Sequence, residues 1–191
     1  MSAEEVFWNW FQEHEDELFN FERDQEKIFD RLITEMHKVH RSLAFEFSPK
    51  ENDRREFVIS ADGIKEAFPK VQSLHASAPH LPRWKFIRFR PRRKPFDIRY
   101  RGVSVKAQSV LVQVEPVGQK MDITVFVPNY TKTAYEKYAP IAFLLLDQAL
   151  GEYEVETRVG AIEIEPIYKA IPPNYSLEEL PKLFDDLAVP Q

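Results

Sequence analysis

The sequence predicts an α+β fold: a single domain over 1–191, with a mostly antiparallel or mixed sheet packed by helices, two N-terminal helices and a short C-terminal helix. Three observations predict it. Apolar residues recur at helical spacing through the first forty positions and again over 135–150. Short β-branched or alternating runs occupy much of the remainder. The strands arrive partly as hairpins, not each followed by a helix, which argues against a doubly wound parallel sheet. A chain of 191 residues suits one domain, and it can bury roughly 70% of its unfolded surface without staples.

The elements follow in order. In "SAEEVFWNWFQEHEDELF", Val6 and Trp10, then Phe7, Phe11 and Leu18, fall near helical spacing. Ser2 with Glu5 fits a capping box, where each side chain satisfies a free backbone donor at the helix start. The aromatics Phe7, Trp8, Trp10 and Phe11 are expected to anchor this helix, with Trp10 and Phe11 largely buried. A second helix is expected within 22–42, with Ile28, Leu32, Met36 and Val39 as its apolar stripe. "LAFEFS" and "REFVIS" read as two strands joined by the polar loop "PKENDR". The segment 61–78 reads as a helix stopped by Pro79 and Pro82, with Pro69 tolerated only near its start or at a break.

"WKFIRF" reads as a strand, Pro91 and Pro95 bracket a connector, and "DIRYRG" continues in extended form. "SVLVQVEP" and "MDITVFVP" are the clearest strands, and "VGQK" between them suggests an antiparallel hairpin. "YEKYAPIAFLLLDQALG" is apolar on more than one face and is expected to be a buried helix on those strands. Gly151 is its expected left-handed cap. "VGAIEIEPI" is a further strand with Ile162 and Ile164 on one side, Glu163 and Glu165 on the other. Ser176 with Glu179 fits a last capping box opening the C-terminal helix.

Composition excludes several chemistries. There are no cysteines, so disulfides, thiolate metal sites and a cysteine nucleophile are ruled out. "MSAEEVFWNW" lacks the basic and apolar regions of a signal peptide. The apolar run "IAFLLL" is far short of the ~20 residues of a membrane span. A soluble cytoplasmic protein is expected. Five glycines are too few and wrongly spaced for a P-loop or dinucleotide fingerprint. No G-x-S-x-G elbow or H-E-x-x-H occurs.

Charge is unevenly distributed. The whole chain is at −5. Yet 83–106 holds Arg83, Lys85, Arg88, Arg90, Arg92, Arg93, Lys94, Arg99, Arg101 and Lys106 against the single acid Asp97. The first thirty residues are strongly acidic. The basic stretch, interleaved with Trp84, Phe86 and Phe89, is the best functional candidate. As a strand, it places Trp84, Phe86, Arg88 and Arg90 on one face and Lys85, Ile87 and Phe89 on the other. Its arginines could converge on an anion through forked donors, grip nucleic acid nonspecifically, or pair with acidic parts of the same fold. The ligand-binding candidates are Arg88, Arg90, Arg92, Arg93, Arg99 and Arg101.

Weaker candidates are His37 with His40, three apart on a helix, and the carboxylates Glu163 and Glu165 on one strand face. The bland alternatives are exposed histidines beside Met36 and Val39, and a solvated strand face. No catalytic residue, metal or cofactor is assigned.

The segments "FWNWFQEHEDELF", "REFVISADGIKEAFP", "LPRWKFIRFRPRR" and "LLLDQALGEYEVETRVGAIE" resemble an uncharacterised family of bacterial intracellular proteins of about this length. The resemblance implies a single-domain bacterial protein and supplies no activity or site residues. The expected function is a non-enzymatic binding or interaction protein, recognising an acidic ligand or partner through 83–101. An enzyme of hydrolase type using carboxylates is the alternative, and nucleic-acid binding the second. The expected partner is a protein or small anion; nucleic acid and membrane are not expected partners.

Overall fold

Ser2 caps the first helix as its spacing from Glu5 predicts. The Ser2 amide donates to Glu5 Oε2 at 2.8 Å and the Glu5 amide donates to Ser2 Oγ at 3.1 Å. This is the start of a computed structural model that describes residues 1–187. The chain folds into two compact units, Met1–Arg90 and Pro91–Gln191, each with its own hydrophobic core. Both contain helices and strands, so the α+β class holds.

In the first unit, α1 (Ala3–Glu13) buries Phe7, Trp8 and Phe11. Trp8 Nε1 donates to the Leu74 carbonyl at 2.8 Å. Trp10 departs from expectation: it is half-buried, stacked on His14 with ring centroids 4.7 Å apart. The helical step explains this, since Phe7, Trp8 and Phe11 share one side and Trp10 lies at its flank. The single helix expected through Leu18 is interrupted at His14. A second helix, α2 (Glu15–Phe19), begins there with Glu15, Asp16 and Glu17 in its first turn. The break gives these three carboxylates a helix N-terminus, where the backbone dipole favours negative charge. Next, α3 (Gln25–Val39) buries Ile28, Leu32, Met36 and Val39, the stripe its spacing predicts.

Strands β1 (Ala44–Phe47) and β2 (Arg55–Ser60) form the expected antiparallel hairpin. β3 (Trp84–Arg88) lies parallel to β2, reached through α4 (Phe68–Ala76), whose first turn holds Pro69. The helix expected from residue 61 starts later, after a 3₁₀ turn over Lys65–Ala67. Phe57, Trp84 and Phe86 contact Phe11, whose ring lies near-parallel to that of Phe57 at 5.4 Å, and Phe47 packs edge-on against Phe57. Trp84, Phe86 and Phe89 are therefore core residues.

In the second unit, β4 (Ile98–Tyr100) pairs antiparallel with β5 (Val103–Val105). The predicted hairpin of β6 (Leu111–Val117) and β7 (Lys120–Val127) is present. It is extended by β8 (Val159–Pro166), parallel to β7, and β9 (Tyr175–Ser176), antiparallel to β6. The strands thus fall into three sheets, β1-β2-β3, β4-β5 and β8-β7-β6-β9. In sequence, Pro91 and Pro95, which lack a backbone donor, fall in the connector between β3 and β4.

The long α5 (Tyr135–Leu150) packs Ile141, Ala142, Leu145 and Leu146 into one core with Val112, Ile123 and Val125. It is not buried all round: Phe143 and Leu144 remain 40% and 39% exposed. Gly151 has φ 85° and ψ 145°, a glycine-type conformation rather than the expected left-handed helical one. It lets one residue end α5 and open α6 (Glu152–Arg158). That helix has no counterpart in the sequence expectations, because "EYEVETR" shows no apolar stripe. The Ser176–Glu179 box forms, and α7 (Leu180–Asp186) follows. Among the described residues, no helix is long and apolar enough to cross a membrane.

Candidate functional site

The basic stretch is divided at Arg90–Pro91 between the two units. Its strand alternation stops at Phe89, which takes φ 62°, donates its amide to the Ile59 carbonyl at 2.8 Å and packs on Phe68 at 4.5 Å. The left-handed turn swings Phe89 into the core. Arg88 and Arg90 consequently do not share a strand face as expected. Arg90 reaches Glu46, with Nε to Oε1 at 2.5 Å, and Asp62. Burial alone would lower its pKa, but the Asp62 and Glu46 carboxylates outweigh it and the net shift is upward.

Other cations in the stretch are also answered within their own unit. Arg92 grips Asp185 with two 2.8 Å hydrogen bonds and donates from Nε to the Leu150 carbonyl at 3.0 Å. Those bonds hold the Asp185 carboxyl below its ordinary value. Arg83 pairs with Glu15 and Asp16 at 3.0 and 2.5 Å and lies over the Phe19 ring at 4.6 Å. Lys85 pairs with Glu56 and Lys94 with Glu178. Arg93 ties its backbone amide to the Gln148 carbonyl at 2.6 Å. Three candidates differ. Arg88, Arg99 and Arg101 are exposed, and no carboxylate pairs with them among the described residues; Arg101 only overlies its neighbour Tyr100 at 5.2 Å.

Arg99 and Arg101 belong to the β4–β5 hairpin. Ile98 and Val105 are buried, and Tyr100 and Val103 pack on the same core. Alternation therefore turns Arg99 and its cross-strand partner Ser104 outward. The two turn residues, Arg101 and Gly102, have φ 45° and 79°, the signature of a type I′ turn. Glycine accepts this freely, whereas an arginine pays roughly 1–2 kcal/mol for it. Asp97 Oδ1 accepts the Ala107 amide at 3.0 Å, closing the base of the hairpin.

No family model, curated protein or solved structure matches this chain. A functional reading therefore rests on the residues themselves.

The weaker candidates resolve as structural features. His37 Nε2 donates to the Leu43 carbonyl at 3.2 Å, and His40 Nδ1 accepts the Ser42 amide at 3.2 Å, so both serve the turn after α3. Among the described residues, no group of three metal-ligating side chains is poised for an ion. Glu165 pairs with Lys169 at 2.7 Å, which holds its carboxyl below the ordinary value; a general acid would need the opposite shift. Glu163 is exposed and shares an open groove of about 360 Å³ with Glu115 and Asp122. Asp122 Oδ1 is engaged by the Ala161 amide at 2.7 Å.

One buried ionic residue escaped the sequence reading. Arg55 is 1% exposed and donates to the carbonyls of Ser48 and Phe19 and to Glu22. The period of two in "REFVIS" held the signal, since it places Arg55 on the same face as Phe57 and Ile59.

Proposed function

We propose that the protein is a non-enzymatic interaction module of the bacterial cytoplasm that presents the β4–β5 hairpin to an acidic partner. The observation that carries this reading is the sorting of the basic stretch: Arg90 and Arg92 are held by carboxylates of the fold, while Arg99 and Arg101 project from a hairpin whose other face is core. Phe96, 59% exposed just before β4, adds an apolar contact beside them. An arginine kept in a strained hairpin turn is also the kind of outlier that tends to mark a functional position. The quoted family resemblance, to bacterial intracellular proteins, supports the bacterial and cytoplasmic parts of the proposal.

Titration of the full chain with a polyglutamate peptide tests it. Saturable binding that weakens with salt is expected, as for any contact between exposed charges. The double variant Arg99→Ala, Arg101→Ala should abolish binding and leave the unfolding midpoint in place. Arg92→Ala should do the reverse. Binding that survives the double variant sinks the proposal. Tight, saturable binding to a defined oligonucleotide instead of the peptide moves the assignment to nucleic acid.

A further inference from the structure

Two stripes of α5 face away from the core, and they differ in charge. Steps of four and seven residues return to nearly the same side of a helix. Glu136, Phe143 and Asp147 therefore form one stripe, and Lys137, Leu144 and Gln148 form the other. Phe143 and Leu144 are the apolar centres of the two stripes and are almost equally exposed. The Phe143 stripe carries two carboxylates. The Leu144 stripe carries the exposed ammonium of Lys137, and no carboxylate pairs with it among the described residues.

The Leu144 stripe is also the one tied to the approach of the β4–β5 hairpin. The Gln148 carbonyl accepts the Arg93 amide at 2.6 Å, and Gln148 Oε1 accepts the Phe96 amide at 2.8 Å. Helix side chains lean toward the helix N-terminus, so Gln148 holds Phe96 over the turn that bears Leu144. Arg99 follows three residues later, within about 10 Å at extended spacing, and Arg101 stands at the turn beyond it. Asp97, between Phe96 and Arg99, already has an oxygen engaged by the Ala107 amide. Leu144 and Phe96 thus make an exposed apolar centre. Cations reach it from two separate elements: Lys137 from α5, Arg99 and Arg101 from the hairpin.

We infer that the acidic partner of the hairpin is an amphipathic helix of another protein, its apolar stripe lying on Leu144 and Phe96 and its carboxylates meeting Lys137, Arg99 and Arg101. The inference rests on the hairpin reading above and adds the form of the partner. A purely acidic segment leaves Leu144 and Phe96 facing water, and a purely apolar one leaves three cations unanswered. A helix suits the stripe because it repeats the same spacing. Lys137 and Leu144 stand two turns apart, about 10 Å along the axis, as do residues i and i+7 of a partner helix, and side-chain rows of two helices interlock. The Phe143 stripe, with Glu136 and Asp147, repels the same partner and so fixes which side of α5 is used.

Two synthetic peptides of equal charge separate this inference from the reading beneath it. One is polyglutamate; the other is a helical glutamate peptide whose leucines recur at i, i+3, i+4 and i+7. In calorimetric titrations of the full chain, the leucine peptide should bind about tenfold more tightly or better, because it buries apolar area that polyglutamate cannot. Leu144→Ala and Phe96→Ala should each bring the ratio of the two affinities down toward one. Phe143→Ala, on the acidic stripe, should leave both affinities unchanged. A peptide of the same composition with its leucines scattered around the helix should lose the gain. If polyglutamate binds at the hairpin and the leucine peptide gains nothing over it, this inference fails alone. If neither binds, the hairpin reading fails and takes this one with it. Equal losses in Phe143→Ala and Leu144→Ala, or a scattered peptide that binds as tightly as the amphipathic one, also overturn it.

Discussion

Arg55→Met should cost far more stability than any other substitution in a charged pair of the first unit. The Arg55 guanidinium donates to the Ser48 carbonyl at 2.6 Å, the Phe19 carbonyl at 3.1 Å and Glu22 at 2.5 Å. It also lies over the Phe21 ring at 4.3 Å. Methionine keeps much of the volume, so a cavity contributes little. Glu22 has a side chain 54% exposed, and its carboxylate can hydrate again once released. The loss therefore comes mainly from two carbonyls deprived of a charged donor, at about 1.5–3 kcal/mol each. Roughly 3–5 kcal/mol in total is expected, in line with broken buried pairs. Urea unfolding followed by tryptophan fluorescence reads this cleanly, because Trp8, Trp10 and Trp84 all lie in the Met1–Arg90 unit. With a slope near 2 kcal/mol per molar urea, the midpoint should fall by about 2 M. Arg83→Met is the control: that side chain is 32% exposed, and about 1 kcal/mol or less is expected. A loss at Arg55 within about 0.5 kcal/mol of the control would refute the view that burial, not charge, sets the difference.

The same assay should show Phe11→Ala, at a fully buried ring, costing about 3–5 kcal/mol, and Trp10→Ala, at a half-buried one, less than half of that; equal losses would contradict the burial argument. Gly160→Ala should destabilise the second unit, because a Cβ there runs into Asp122 Oδ1, which also accepts the Ala161 amide. Adding Asp122→Ala should recover part of the loss in a double-mutant cycle read by circular dichroism, and strict additivity would disprove the clash. Glu22 and Asp185 have folded pKa values lowered by hydrogen bonds from Arg55 and Arg92. A lowered folded value contributes stability above the unfolded pKa and loses it as pH falls through the folded one. The melting temperature should therefore drop on acidification below the ordinary values of 4.5 and 3.8, with a smaller drop in Arg92→Met; a melting temperature that rises there would reverse the sign.

Local pattern was enough for most elements. The Ser2–Glu5 box, the Ile28–Val39 stripe, the β1–β2 and β6–β7 hairpins and the position of Pro69 all rest on contacts within a few residues or on periodicity. The misses have a common cause. α6 has no apolar stripe to announce it, and the break at His14 depends on where three carboxylates find a helix end. Trp10 lay one helical step from a face whose angular width only the packed core defines.

For the candidate site, composition determined that a strongly basic, aromatic-rich stretch existed and that cysteine chemistry did not. The sequence could not say which cations were already spent. Arg92 meets Asp185 across 93 positions, Arg90 meets Glu46 across 44, and Arg83 meets Asp16 across 67. Such pairings depend on how distant segments are brought together, and no local periodicity encodes them. The same holds for Arg55 and Trp84, 29 residues apart and neighbours only because β3 returns parallel to β2. Side-chain type and spacing are local properties, written residue by residue. Whether a charge is free, paired or sealed in the core is a property of the packed chain, since burial and partner distance exist only once the strands have found one another.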